Sequence, residues 1–144
     1  MSQVPLTQDR RQLTYAGAVV AIEAAVVKSR ELGAPECIAV VDAGGNLLAY
    51  ARVEGAAVLA LKPSIAKAQT SAALGAPSGG IPFEFGINLT TASDGGITNL
   101  GGGLPIIVDG QVLGAIGVGS GTTEQDIAVA TAGQAAILAA LRSA

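Results

Sequence analysis

Two short glycine-containing turns, each set between runs of aliphatic and β-branched residues, govern the architecture open to this chain. Ala43-Gly44-Gly45-Asn46 separates the run Cys37 to Asp42 from the run Leu47 to Val53, and Asp109-Gly110 separates Leu104 to Val108 from Gln111 to Val118. Gly, Asn and Asp at such positions supply the positive φ that tight hairpin turns demand. Two hairpins without an alternating strand–helix–strand pattern predict an α+β protein built on an antiparallel sheet. The second hairpin ends with Gly117, Gly119 and Gly121 on alternate positions, so one face of that strand is bare and leaves a groove for close packing.

Helical periodicity fills the remainder. Apolar Leu13, Ala16, Val20, Ala24 and Val27 recur at three-to-four spacing, which predicts a long first helix from Gln8 to Leu32, capped by Thr7 and stopped by Gly33. A second helix is expected over Val58 to Leu74, with Pro63 in its first turn, where a missing N–H costs little. Thr122 or Thr123 caps a last long helix whose first turn holds Glu124, Gln125 and Asp126. Gly75 to Gly96 reads as a long loop, of the kind that serves as a lid or a subunit contact. No repeat or linker divides the sequence, so residues 1–144 are expected to form one domain.

Composition then removes whole classes of chemistry. There is no histidine, which excludes a histidine-containing triad, a His-ligated zinc or haem and an imidazole acid or base. The charge is −3 with basic residues scattered, and the aromatics are Tyr15, Tyr50, Phe83 and Phe85, so neither a phosphate-binding stripe nor a base-stacking platform is present. The apolar stretch Ala16 to Val27 contains Glu23 and is too short to span a bilayer, and the first residues lack the apolar segment of a signal peptide. With the lone Cys37, these features fit a cytoplasmic protein. Charged residues make up 13% of the chain, about half the usual share, which points to a surface partly covered by further copies in a homo-oligomer.

The remaining candidates for chemistry are few. Gly101-Gly102-Gly103 could form a nest of backbone N–H groups for an oxyanion or carboxylate, or simply a flexible strand entrance. Lys67, set among alanines, is either a snorkelling side chain or a cation facing that glycine run, and Arg52 offers a planar fork to a carboxylate. Glu124 and Asp126 form the strongest carboxylate pair, although acids in a first helical turn also suit the helix dipole. No metal ligand set is recognisable.

The segments Ile38 to Arg52, Lys67 to Ala72, Gly101 to Ile106 and Val108 to Asp126 resemble, in order and spacing, the GlcG/HbpS-like family, which includes the C-terminal domain of PduO-type proteins. The resemblance runs from about Leu6 to Leu141. It implies a profilin-like fold, an antiparallel sheet with packed helices and long terminal helices, assembled as dimers or larger homo-oligomers. It also implies a haem-associated family serving glycolate, diol or aromatic-compound degradation. This chain departs from the pattern where relatives often read Gly-Gly-His, having Gly44-Gly45-Asn46, and where an aromatic often follows Lys-Ala, having Gln69.

Two function classes follow. In the first, a cytoplasmic accessory protein binds haem, flavin or another small anionic or aromatic ligand in a pocket bordered by Lys67, Thr70, Gly101, Gly102, Gly103 and Glu124, with Tyr50 among the oxygen donors left for haem iron. In the second, an isomerase, tautomerase or hydrolase acts on a carboxylated catabolic intermediate. There Arg52 or Lys67 holds the carboxylate, the glycine amides stabilise an enolate, and Glu124 or Asp126 moves the proton.

Overall fold

The computed structural model describes residues 2–144. Helix α1 (Tyr15–Leu32) leads into the hairpin β1 (Cys37–Asp42) and β2 (Leu47–Arg52). A short 3-10 turn (Val58–Ala60) opens α2 (Leu61–Leu74), followed by α3 (Phe83–Ala92), the hairpin β3 (Gly103–Val108) and β4 (Gln111–Gly119), and α4 (Thr123–Arg142). The strands form one antiparallel sheet in the order β2-β1-β4-β3, so the two hairpins join through β1 and β4, with Cys37 opposite Gly119. This is the α+β architecture that the two turns require.

Strand alternation sends different side chains to the two faces. Ile38 and Val40 of β1, Ile106 of β3 and Ile116 and Val118 of β4 pack with residues of α1 and α4, including Ala21, Ala25, Val129 and Ile137, in the main core. Ala39, Val41 and Ala115 face the other way and meet Ala68 and Ala72 of α2. Large aliphatics therefore carry two helices, while the alanine and glycine face lets one helix sit close. Gly103 and Gly117 are cross-strand partners at the point of closest approach. A Cβ on Gly117 would meet the Ser64 carbonyl and the Ala68 amide, and one on Gly103 would meet the Lys67 carbonyl. The bare strand face that the sequence shows is thus occupied by the backbone of α2.

Two expectations are corrected. The first helix begins at Tyr15, not Gln8, with Thr14 rather than Thr7 as its cap, accepting a hydrogen bond from Gly17 N–H. Leu13 is the reason: its N–H donates to the Leu113 carbonyl at 2.8 Å and its side chain enters the main core, which holds the preceding backbone outside the helix. The stretch from Gly75 to Gly96 is not a plain loop, since Pro82 caps α3 within it. Other signals read correctly: Gly33 ends α1 at φ 61°, Pro63 lies in the first turn of α2, and Thr122 with Gln125 forms a reciprocal capping box on α4.

Candidate functional site

Lys67 does not snorkel. Its side chain is 6% exposed, and its ammonium donates to the Val118 carbonyl at 2.7 Å and to Asp126 Oδ2 at 2.9 Å. Asp126 Oδ1 in turn accepts from the Gly121 N–H at 3.0 Å. Lys67 belongs to the layer on one face of the sheet and Asp126 to the layer on the other. They meet at the end of β4 because Gly102 and Gly119 carry no side chain: a Cβ on Gly102 would lie 3.2 Å from Lys67 Nζ and 3.0 Å from Asp126 Cβ.

Glu36, just before β1, adds a third ionisable group to this cluster. The residue is fully buried and neither carboxyl oxygen accepts a hydrogen bond from a donor on the protein. Its pKa is pushed up from 4.5 to about 8, first by burial and then by the adjoining Asp126 carboxylate, against the opposing pull of the Gly121 N–H and Lys67. At neutral pH Glu36 holds a proton that it can donate to Asp126. The folded chain then binds one more proton than the unfolded chain between pH 4.5 and about 8, so stability falls as pH rises through that window and levels off above it. Glu36→Gln, which keeps the shape and cannot ionise, is expected to remove this slope in denaturant titrations. Above pH 8 it should be the more stable protein by on the order of a few kcal/mol.

A pocket of about 360 Å³ opens above Lys67 and Asp126. Ala57, Leu59, Ala60, Pro63 and Leu100 give it apolar walls, and Gly101, Gly119 and Gly121 complete the lining. Ser120 and Thr123 add hydroxyls at its rim. Ser120 has φ 101°, a conformation that a non-glycine residue adopts at a cost, and its Oγ accepts from the Ala57 N–H at 2.9 Å.

The sequence candidates separate accordingly. Lys67, Asp126 and Gly101 come together in the pocket. The glycine run is not an open cradle: Gly103 N–H donates to Ser78 Oγ, Gly102 O accepts from Val118 N–H, and both residues are buried. Thr70 donates to the Ala66 carbonyl and accepts from Thr98 N–H, tying the chain ahead of β3 to α2. Tyr50 is hydrogen-bonded to Ser64 at 3.3 Å. Arg52 and Glu124 are exposed and do not line the pocket. Sequence reasoning missed Glu36, whose signal was an acid directly ahead of the apolar run Cys37 to Val41, and Ser120, which carries no sequence signal beyond its glycine neighbours.

These side chains do not fit an axially ligated haem. The Lys67 amine is committed to Asp126, and burial holds the Tyr50 phenol up at about 12, which disfavours a tyrosinate ligand. The Cys37 thiol is buried and directed at the Ala57 carbonyl, and Tyr15 stands exposed on α1. Among the described residues, no group of three or more acidic, cysteine or histidine side chains could hold a metal ion, and no helix is long and apolar enough to cross a membrane.

Fold and site together define a small α+β protein with an apolar, charge-floored pocket at one end of its sheet. The chain belongs to the HbpS-like family, whose model, described as "Haem degrading protein HbpS-like", matches residues 13–135. It is 35% identical over 127 residues to an uncharacterised 15.0 kDa protein of the dhaT-dhaS intergenic region of Citrobacter freundii, covering 83% of this chain and 88% of that one. Protein GlcG of Escherichia coli K12 is 45% identical over 83 residues, 56% of this chain and 61% of that protein. The crystal structure of Klebsiella pneumoniae ORFY superposes with a TM-score of 0.87 at 30% identity, covering 96% of this chain and 99% of that one. The PduOC:heme complex shares the fold, with a TM-score of 0.79 at 24% identity over 87% and 94% of the two chains.

Proposed function

We propose that this chain is a homo-oligomeric accessory protein of a catabolic pathway that binds, above Lys67, a small molecule with a flat apolar body and a carboxylate. The observation that carries this reading is a buried ammonium on the floor of an otherwise apolar pocket. Haem, through its propionates, and a small aromatic acid share this chemistry. Haem has the support of the family description and of the PduOC complex. Neither the pocket nor the relatives favour flavin.

Because no pocket side chain fits as an iron ligand, porphyrin binding would depend on apolar contact and the carboxylates alone. Haemin and metal-free protoporphyrin IX are therefore expected to saturate at one equivalent per chain with affinities within about threefold, since no coordinate bond separates them. Absorbance and fluorescence titrations check this. A haemin signal that drifts without saturating would remove the porphyrin arm, and calorimetry with phenylpyruvate tests the aromatic-acid arm.

Oligomerisation has its own support. Phe83 and Phe85 of α3 are 77% and 65% exposed, and Leu59 beside the pocket is 87% exposed, leaving apolar surface that a second copy could cover. The accessible surface of 8037 Å² exceeds the roughly 6,700 Å² of a compact monomer of this mass. Light scattering is expected to report a multiple of 14.1 kDa, and a monomer mass would contradict it.

A further inference from the structure

Three features that a plain binding pocket does not require converge on its floor. Lys67 and Asp126 form an ion pair with both side chains nine-tenths buried or more. Behind Asp126 lies Glu36, fully buried, with neither oxygen accepting from a donor on the protein. At the rim, Ser120 holds a costly backbone conformation. Backbone strain and unsatisfied buried carboxyls concentrate where catalysis uses them. With no histidine in the chain and Lys67 ion-paired to Asp126, the rim hydroxyls of Ser120 and Thr123 have no imidazole to activate them as nucleophiles. Acid–base chemistry has its groups in Asp126 and Glu36.

We propose that the pocket floor is a general-acid site that protonates the enolate carbon of a 2-oxo acid with an apolar side chain, Glu36 supplying the proton and Asp126 delivering it. The inference rests on the pocket being the ligand site. Lys67 makes two hydrogen bonds within the protein, which leaves its third N–H to be shared by the carboxylate and the adjoining enolate oxygen of the 2-oxo acid. The walls Leu59, Pro63 and Leu100 take the apolar side chain.

The step balances without a co-reactant. The enol loses its O–H proton to water and binds as the enolate. The carbon–carbon double bond takes a proton from Asp126, a C–H bond forms, and the carbonyl is restored. The proton that Asp126 delivers is the one that Glu36 holds, passed to Asp126 as the carbon takes it up, and water then returns a proton to Glu36. Asp126 is the catalytic residue, and Glu36 acts through it. The ionisable groups acting on Glu36 are Asp126 from α4 and Lys67 from α2, with the Gly121 N–H beside them.

The test follows ketonisation of freshly dissolved enol-phenylpyruvate by its ultraviolet absorbance, alongside calorimetric binding of phenylpyruvate to the same preparation. The wild-type protein is expected to accelerate ketonisation over buffer, with an alkaline limb near pH 8 as Glu36 loses its proton. Asp126→Asn should lose at least about 100-fold. Should that variant not fold, Glu36→Gln decides: it keeps the shape, and is expected to lose at least about tenfold in rate together with the alkaline limb. No acceleration by the wild type, or an unchanged pH profile in Glu36→Gln, would overturn the inference. Binding without acceleration defeats the general-acid role alone, whereas absence of binding defeats the pocket's small-acid reading as well.

Discussion

Lys67→Met is expected to lower the unfolding free energy by about 3–5 kcal/mol, because it strands the Asp126 carboxylate in a buried site. In a chain of this size that corresponds to a melting temperature lower by about 10–17 °C. The Lys67 ammonium supplies one of the two hydrogen bonds that Asp126 Oδ1 and Oδ2 accept, leaving only the Gly121 N–H after substitution. Glu36 and Asp126 hold one proton between them, so without Lys67 the buried pair keeps one uncompensated negative charge. Lys67→Met combined with Asp126→Leu removes both charges and should recover most of the loss, since replacing a buried pair by apolar groups is often neutral. Urea denaturation of the two single variants and the double variant checks this. A loss in Lys67→Met no larger than that of an exposed ion pair, below about 1 kcal/mol, would show that the pair is not buried in solution.

Gly117→Ala is expected to destabilise the fold by about 1–3 kcal/mol, through overpacking rather than through lost contacts. The added methyl would press on the Ser64 carbonyl and the Ala68 amide, which belong to the backbone of α2 and cannot turn away as a side chain can. The helix must lift from the sheet, and Lys67 lifts with it. Gly110, in the turn between β3 and β4, has open space around its Cβ position, so Gly110→Asn, which keeps a residue that tolerates positive φ, serves as the control and should cost well under 1 kcal/mol. Thermal melts of the two variants distinguish a packing requirement from a general intolerance of glycine replacement.

The sheet was legible because its signals are local. Gly44-Gly45-Asn46 and Asp109-Gly110 fix the two hairpins by backbone conformation, and both appear where the turns predict them. The start of α1 was not legible, because Leu13 is claimed by a contact with β4 a hundred residues away in sequence. Periodicity alone extends the helix through it. The same distinction runs through the site. Lys67 and Asp126 stand out by residue type, yet only the bare backbone at Gly102 and Gly119, which lets the two side chains meet across the end of the sheet, shows that they pair. The glycine run reads in sequence either as a ligand cradle or as a flexible strand entrance, and its packing role emerges only once the backbone of α2 is seen to cover Gly103. Glu36 is silent for a related reason: its chemistry arises from the burial that tertiary structure imposes on an ordinary carboxylate.

The most direct measurement of the central claim, that a small molecule occupies the pocket above Lys67, is ligand titration of a protein whose pocket has been filled. Gly101 lines the pocket, and a Cβ there points toward Thr123 and Ile127, so Gly101→Leu places a branched side chain where the ligand body is proposed to sit. With folding verified by circular dichroism, haemin and phenylpyruvate are each titrated into wild type and variant. The expected result is saturable binding by the wild type of at least one of the two, weakened at least about tenfold in Gly101→Leu, a loss of about 1.4 kcal/mol. Equal affinity in wild type and a folded Gly101→Leu would place the ligand elsewhere on the molecule and contradict the assignment of this pocket.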